Sequence, residues 1–404
     1  MLRALHAIRD DFPLLQREIN QAPLTYLDSA ATSLKPRQVI EASNRYLTKY
    51  TANIHRGHHR LSEEASDAFE EARDKVAFAI NADKQCTVFV GGATEAINIV
   101  ASGIEVFNGA KILLPVSEHN SNIAPWMRLG EVEWITPDEG LHFSLENWRK
   151  RMDEVRPKLV ALSAVSNVTG LAQPVKEICA IAREFGALTL VDASQAVGHA
   201  KVDVSDLDCD YLVFSGHKMF APTGIGVLTG KLEAIKQLRP LVVGGGAVRV
   251  KDDGSFALLD LPARLEAGTP NISGVIGLAE AFSYVEALGY DTTGAYLKDL
   301  SKYLVEALSD VGSIETYADR VDPTHPIVSI CPKDFCINAD ELSIILSEEY
   351  NIFCRSGSFC AHNFCNYLGV GGNLLRVSAH IYNTFEDVDL LCDSIRSLEP
   401  HYCA

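Results

Sequence analysis

Lys218 follows the apolar run YLVFSG (211–216) in the tetrapeptide SGHK, flanked by the hydroxyl of Ser215 and the imidazole of His217. A lysine so placed suits an amine that condenses with a carbonyl, while its neighbours donate hydrogen bonds to an anionic group such as phosphate. Taken alone, SGHK equally suits a solvated turn lysine. Asp192 ends a second apolar run, LTLVDAS (188–194). An acid there can pair with a protonated pyridine nitrogen, keeping the ring an electron sink, or it can simply cap a helix. GGATE (91–95) adds glycines that let backbone approach a ligand, and Thr94 opens a helix whose free N–H groups favour an anion. By itself that signal is weak, because strand-to-helix turns are commonly rich in glycine and threonine.

These stretches belong to a larger pattern. TVFVGG (87–92), KILLP (111–115), KLVALSAV (158–165), LTLVDAS, YLVFSG and IGVLTG (225–230) are short apolar runs separated by helical periodicity. They predict a mainly parallel sheet covered on both faces. One helix starts after Ser62, with acids in its first turn, and another carries Val175, Ile178, Ala182 and Phe185 on one face before Gly186 stops it. Ligands in open α/β sheets sit beyond the carboxyl ends of the strands. Here five such ends are polar or titratable: GGATE, SEHNSN (117–122), SNVTG (166–170), DASQ (192–195) and SGHK. One could be a turn; five together indicate a site.

After about residue 285 the texture changes. A long helix near 290–311 leads to IVSIC (327–331), a helix near 339–349, IFCRSG (352–357) and LLRVSAH (374–380). Thr384 and Asp387 make a capping-box-like start for a last helix bearing Val388, Leu391, Ile395 and Leu398. Few strands with flanking helices suit a small α+β domain.

A chain of 404 residues, 47% hydrophobic and 22% charged, suits one large domain plus a smaller one. The formal net charge of -17 argues against nucleic-acid binding, which wants a basic face. No stretch reaches the roughly 18 uninterrupted apolar residues of a membrane span. The start, MLRALHAIRDDFPLLQ, reads as neither signal nor transit peptide, so the expected compartment is the cytoplasm. The ten cysteines thicken near the end without forming tight CxxC pairs. They read mostly as small core hydrophobes, and no metal site is expected.

With these residues in hand, the sequence resembles a fold-type I pyridoxal-phosphate (PLP) enzyme of the class V aminotransferase group. Within it, the chain is similar to the cysteine desulfurases, particularly the sulfur-mobilisation (group II) branch that also includes selenocysteine lyases. The resemblance runs through YLDSAATSLKP (26–36), NIHRGHHRLS (53–62), GGATEAIN, SEHNSNIAPW, SNVTG, VDASQ, SGHKMFAPTGIGVL, EAGTPN (266–271), RSGSFCA (355–361) and LRVSAHIYNT. It implies an N-terminal segment of the small domain at 1–22, a large PLP-binding domain at 23–285, and a small C-terminal domain at 286–404 carrying the nucleophile loop.

By that resemblance, Lys218 carries the cofactor and shuttles protons once substrate displaces it. His119 stacks on the pyridine ring, Asp192 binds its nitrogen and Gln195 its 3'-oxygen. Thr94, Ser215 and His217 hold the phosphate, with Thr269 reaching in from a second subunit of a homodimer. Asn167 and Arg376 hold the substrate carboxylate, and Arg355 and His55 belong to the same substrate site.

Cys360 is the residue that singles out desulfurases. A free thiol with a pKa of about 8.5 is only a few per cent thiolate at pH 7, so a nucleophilic cysteine needs help, and Arg355 offers positive potential. The resemblance implies conversion of L-cysteine to L-alanine, a persulfide on Cys360, and a sulfur-acceptor protein in iron–sulfur cluster assembly or another thiolation pathway. The loop departs from the branch pattern. Ser358 and Phe359 stand where two histidines are usual, His362 and Asn363 replace a polar residue and proline, and Ala93 replaces the first phosphate-loop threonine. Alternatives are a cysteine, cystine or selenocysteine lyase that does not need Cys360, another aminotransferase-fold enzyme, and a catalytically silent sulfur-relay partner.

Overall fold

Seven strands between residues 88 and 230 pair into one sheet. The computed structural model, which describes residues 8–104 and 109–402, gives β1 (Val88–Val90), β2 (Lys111–Pro115), β3 (Glu131–Ile135), β4 (Leu159–Ser163), β5 (Leu188–Asp192), β6 (Tyr211–Ser215) and β7 (Gly226–Gly230). Their spatial order is β1-β7-β6-β5-β4-β2-β3. Only β7 runs against its neighbours, so the expected mainly parallel sheet is present. The central strands are buried almost throughout, as a sheet covered on both faces requires. β3 escapes the apolar-run criterion because it lies at the edge and its sequence EVEWI starts exposed.

Because β1, β2, β4, β5 and β6 point the same way, their polar endings emerge along one edge. Register sets Asp192 beside Ser163 on β4 and Val213 on β6. The turn after β1 comes down close to β7, where a Cβ on Gly226 would fall 2.6 Å from the Cα of Gly92. Only glycine permits that approach.

Helices α1 (Arg37–Lys49), α2 (Arg60–Ala79), α3 (Ala93–Gly103), α4 (Val175–Glu184) and α5 (Ile272–Leu288) accompany this sheet, and α5 packs on both α1 and α2. The start expected after Ser62 is three residues too late: α2 begins at Arg60, Ser62 is inside it, and the ring of His59 caps the helix by accepting from Ser62 N. Ser62 Oγ instead donates to Asn53 O at 2.7 Å. In α4, Val175, Ile178 and Ala182 are buried, and Gly186 follows with a left-handed φ of 69°, the usual helix stop.

The second sheet is antiparallel: β8 (Ile314–Tyr317), β9 (Ile327–Pro332), β10 (Arg355–Ser356) and β11 (Leu375–Ser378), in the order β8-β9-β11-β10. It is flanked by α6 (Tyr290–Ser309), α7 (Ala339–Tyr350), α8 (His362–Tyr367) and α9 (Phe385–Tyr402). The expected start of α9 is real: Thr384 N donates to Asp387 Oδ2 at 3.1 Å and Asp387 N to Thr384 Oγ1 at 3.4 Å. IFCRSG is not one strand. Ile352–Phe353 pairs in parallel with Thr25–Tyr26, and only Arg355–Ser356 joins the second sheet.

The early chain stitches the two sheets together. Phe12 is fully buried with its ring 4.7 Å from that of Tyr382 and 5.9 Å from that of Phe220. Arg9 pairs with Asp387 at 2.8 Å.

Candidate active site

The strand endings and the second sheet enclose a cavity of about 290 Å³. Lys218 lies on the short turn after β6, and Asp192 ends the adjacent β5. Burial lowers the Lys218 pKa to about 8, against the raising influence of Asp192. A buried amine tuned downward is the form that attacks a carbonyl near neutral pH. The YLDSAATSLKP segment secures this turn from below: Ser33 N and Lys35 Nζ donate to His217 O at 3.1 and 3.0 Å, and Phe220 N donates to Ser33 Oγ at 2.7 Å.

His119 reaches the same cavity from the loop after β2. Its Nδ1 accepts from Ser121 N at 3.1 Å, so the neutral ring carries its proton on Nε2. Burial, with the Lys218 charge adding, lowers its pKa to about 4 and keeps it neutral. Gln195 donates through Nε2 to Ala30 O at 2.8 Å, while its buried Oε1 has no partner among the described residues.

At the opposite end, Thr94, Ser215 and His217 gather around the start of α3. Ala93 N donates to Ser215 Oγ at 2.9 Å, and the hydroxyls of Thr94 and Ser121 lie 2.8 Å apart. A helix of this length leaves its first N–H groups without intrahelical acceptors and favours an anion there. His217 is held neutral, its pKa lowered to about 4 by burial and then by the charges of Lys218 and Lys35.

Arg376, on β11, closes the third side and is almost wholly buried. Its Nη1 donates to Asn167 O at 3.0 Å and its Nη2 to Asp28 Oδ1 at 3.2 Å, while the buried Nε lacks an acceptor among the described residues. Arg355 is paired with Asp28 too, at 3.0–3.2 Å. Cys360 is exposed on the cavity rim, on a loop where Phe359 and Cys360 both take left-handed φ values, 50° and 55°. Asn167 Nδ2 donates to Phe359 O at 2.9 Å and Asn120 N to Cys360 O at 2.6 Å, which anchors the loop to the large sheet's edge.

Eleven of the residues expected from the sequence therefore line one cavity. Two do not. Thr269 is exposed in a segment anchored on both sides, by the Arg73–Glu266 pair at 2.7 Å and by Asn271 Nδ2 donating to Gly224 O at 2.9 Å. His55 is exposed, 3.7 Å from Glu70, with its ring against Phe69. Within one chain neither reaches the cavity.

Sequence reasoning missed Glu118, Asp28 and Lys35, all of which stand inside quoted motifs. Glu118 is buried and accepts from Ser163 N, Ser163 Oγ and Asn122 Nδ2 at 2.6–2.7 Å, tying the His119 loop to β4. Burial, with Asp192 adding, raises its pKa to about 7. For Glu118 the available signal was its place in SEHNSN, among the polar strand endings, although its partner Ser163 is not marked there.

The aminotransferase class-V family matches residues 25–391. The chain belongs to that family. Among its relatives is a cysteine desulfurase of Salmonella newport (strain SL254), 41% identical over 397 residues, covering 95% of each chain. Solved structures of class-V members superpose over nearly the whole chain. The apo cysteine desulfurase from Thermococcus onnurineus NA1 gives a TM-score of 0.90 at 36% identity, covering 97% of both chains. The cysteine desulfurase CsdA (S-sulfonic acid) from Escherichia coli gives 0.88 at 32%, covering 98% of both.

Class-V aminotransferases are PLP enzymes, and the cavity suits that group. It offers an amine for the aldehyde, an acid at the end of β5, a neutral ring on His119 and a helix-start cradle. It also presents the Gln195 amide, whose Nε2 carries a second N–H for a ring oxygen beside the one given to Ala30 O. When bound, PLP supplies a covalent handle for amino acids and a cationic ring that takes up electrons from the substrate.

Proposed function

We propose that this enzyme is a PLP-dependent cysteine desulfurase that takes sulfur from L-cysteine, releases L-alanine and holds the sulfur as a persulfide on Cys360. The observation carrying this reading is the shared cavity of Lys218, Asp192, Arg376 and Cys360. Thr94, Ser215 and His217 would hold the phosphate, Asp192 the ring nitrogen, Gln195 the ring oxygen, and His119 the ring face.

Arg376 and Asn167 orient the substrate carboxylate, with Arg376 Nε as the N–H left open for it. A guanidinium suits this task through planar, forked donors. Lys218 moves a proton at the substrate's Cα. The Cys360 thiolate then attacks the substrate sulfur. The bond from that sulfur to Cβ breaks, its electron pair passes to the carbon side, and protonation of Cβ completes alanine.

Thr269 and His55, outside their own chain's cavity, would complete the site of a second subunit in a homodimer. The functional division we propose is an N-terminal segment (1–22), a cofactor-binding part (23–285) and a part carrying the nucleophile loop (286–404). The sulfur would pass to an acceptor protein for iron–sulfur cluster assembly or another thiolation pathway, in the cytoplasm. Among the described residues, no single helix is long and apolar enough to cross a membrane.

The loop with Ser358 and Phe359 in place of histidines favours a second reading, a lyase acting on cysteine, cystine or selenocysteine. Incubating purified protein with L-cysteine separates the two. Alanine with one added sulfur on the Cys360 peptide supports the desulfurase; pyruvate and ammonia with no such adduct support the lyase.

A further inference from the structure

Phe359 occupies one of the positions where the resemblance calls for histidine, and it is buried with 8% of its surface exposed. The Arg376 guanidinium carbon lies 4.8 Å from the centroid of its ring. The same residue's carbonyl accepts from Asn167 Nδ2 at 2.9 Å. Phe359 and the following Cys360 are consecutive non-glycine residues at left-handed φ, an arrangement that persists only where surrounding contacts over-determine it. Those contacts are the Asn167 amide, the Asn120 N–H on Cys360 O, the turn closed by Ala361 N on Ser358 O, and the face of Arg376. Two of the four are the residues assigned to the substrate carboxylate.

The directions of these contacts are complementary. The ring approaches the guanidinium, whose Nη1 and Nη2 are occupied by Asn167 O and Asp28, leaving Nε without an acceptor. Away from water, contact with an aromatic ring steadies a cation without using any of its donors. We propose that Phe359 is a positioning residue that couples recognition of the substrate carboxylate to presentation of Cys360, its ring holding Arg376 while its carbonyl holds Asn167. This rests on the desulfurase reading for the role of Cys360. The coupling itself is a property of the loop and the arginine.

Three proteins test it: wild type, Phe359→Leu, which keeps apolar bulk but loses the ring, and Phe359→Tyr, which keeps the ring. Two readouts need no turnover. One is the dissociation constant of L-alanine, followed by absorbance of the bound cofactor. The other is the rate of iodoacetamide modification at Cys360 in cofactor-free protein, followed by mass spectrometry of its peptide. Phe359→Leu should weaken L-alanine by about thirtyfold, the size of a desolvated cation–π contact, and change the alkylation rate by about threefold or more. Phe359→Tyr should return both to within about twofold of wild type. A Leu variant that shifts only one readout, or neither, overturns the coupling, as does a Tyr variant that behaves like Leu. Whether wild type makes alanine from L-cysteine is measured separately and judges the desulfurase reading alone.

Discussion

Arg376 and Asp28 meet at 3.2 Å inside the cavity wall, and Asp28 simultaneously accepts from Arg355 at 3.0–3.2 Å. The two guanidinium groups differ in setting: the Arg376 side chain is 3% exposed and that of Arg355 is 53%. One carboxylate thus fixes a buried cation and an exposed one that stand opposite each other in register on the neighbouring strands β10 and β11. The buried pair is the stronger determinant, since removing its acid leaves a desolvated cation short of a partner.

Asp28→Asn should therefore lower kcat/KM for L-cysteine by about ten- to a hundredfold, the range of a lost charge-assisted hydrogen bond, chiefly through KM. Arg376→Lys should act in the same direction although charge is kept, because an ammonium cannot replace the planar fork. Steady-state kinetics of both variants check this. An Asp28→Asn enzyme with unchanged KM would show that Arg376 holds its orientation without Asp28.

The second prediction concerns loading of the cofactor. Lys218 has its pKa lowered to about 8 by burial. The neutral amine is the form that attacks an aldehyde, so covalent uptake of PLP by cofactor-free protein should rise about tenfold per pH unit below 8 and level off above it. A lysine at its ordinary value would keep accelerating beyond pH 9. Stopped-flow absorbance across that span decides, and Lys218→Ala should show no covalent uptake after borohydride reduction.

What the sequence made legible, and what it hid, follows a physical division. Lys218, Asp192 and Thr94 announce themselves because each follows an apolar run, and a parallel sheet brings such endings to one edge. Asp28, Glu118 and Lys35 act by holding other residues, and their partners lie far away in the chain: Asp28 with Arg376, Glu118 with Ser163, Lys35 with the carbonyl of His217. Nothing local marks such pairings. β3 hid for a different reason, since an exposed edge strand needs no continuous apolar run. His55 and Thr269 stand outside the cavity of their own chain.

A third prediction arises away from the chemistry, where His199, His325 and His380 form a buried cluster. The His199 ring centroid lies 4.2 Å from that of His380 and 5.3 Å from that of His325. Each has a buried ring nitrogen without a hydrogen-bond partner among the described residues. Burial lowers all three pKa values, His199 well below its usual range, His325 to about 4 and His380 to about 3. In the unfolded chain these rings titrate near 6.5, so below that pH the unfolded state binds more protons. Stability is then fully present above about pH 6.5 and is lost as pH falls toward 4, by about 1.4 kcal/mol per pH unit for each ring. His380→Phe should remove about one proton from that slope. Urea midpoints from pH 7 to pH 4.5 test it, and a variant with the wild-type slope would show that the cluster does not govern acid stability.

The last prediction separates Cys360 from the thiol that follows it. Cys360 is exposed on the cavity rim, whereas Cys365 is buried in α8, its thiol 3.8 Å from Ser358 O. Burial also raises the Cys365 pKa, which makes it a poorer nucleophile at neutral pH. Cys360→Ala should still bind L-cysteine, because Lys218, Asp192 and Arg376 are untouched, and should fail to form alanine from it. It should keep more activity toward a selenium analogue, whose weaker bond to carbon needs less help from a nucleophile. Cys365→Ala should retain turnover and lose about 1 kcal/mol of stability, a typical core truncation of this size. If Cys360 were structural instead, both variants would lose stability alone and both would make alanine. Mass spectrometry after cysteine treatment reads the difference directly. An added sulfur atom belongs on the Cys360 peptide of wild type and of Cys365→Ala, and full alanine production by Cys360→Ala with no persulfide on any cysteine would refute the assignment.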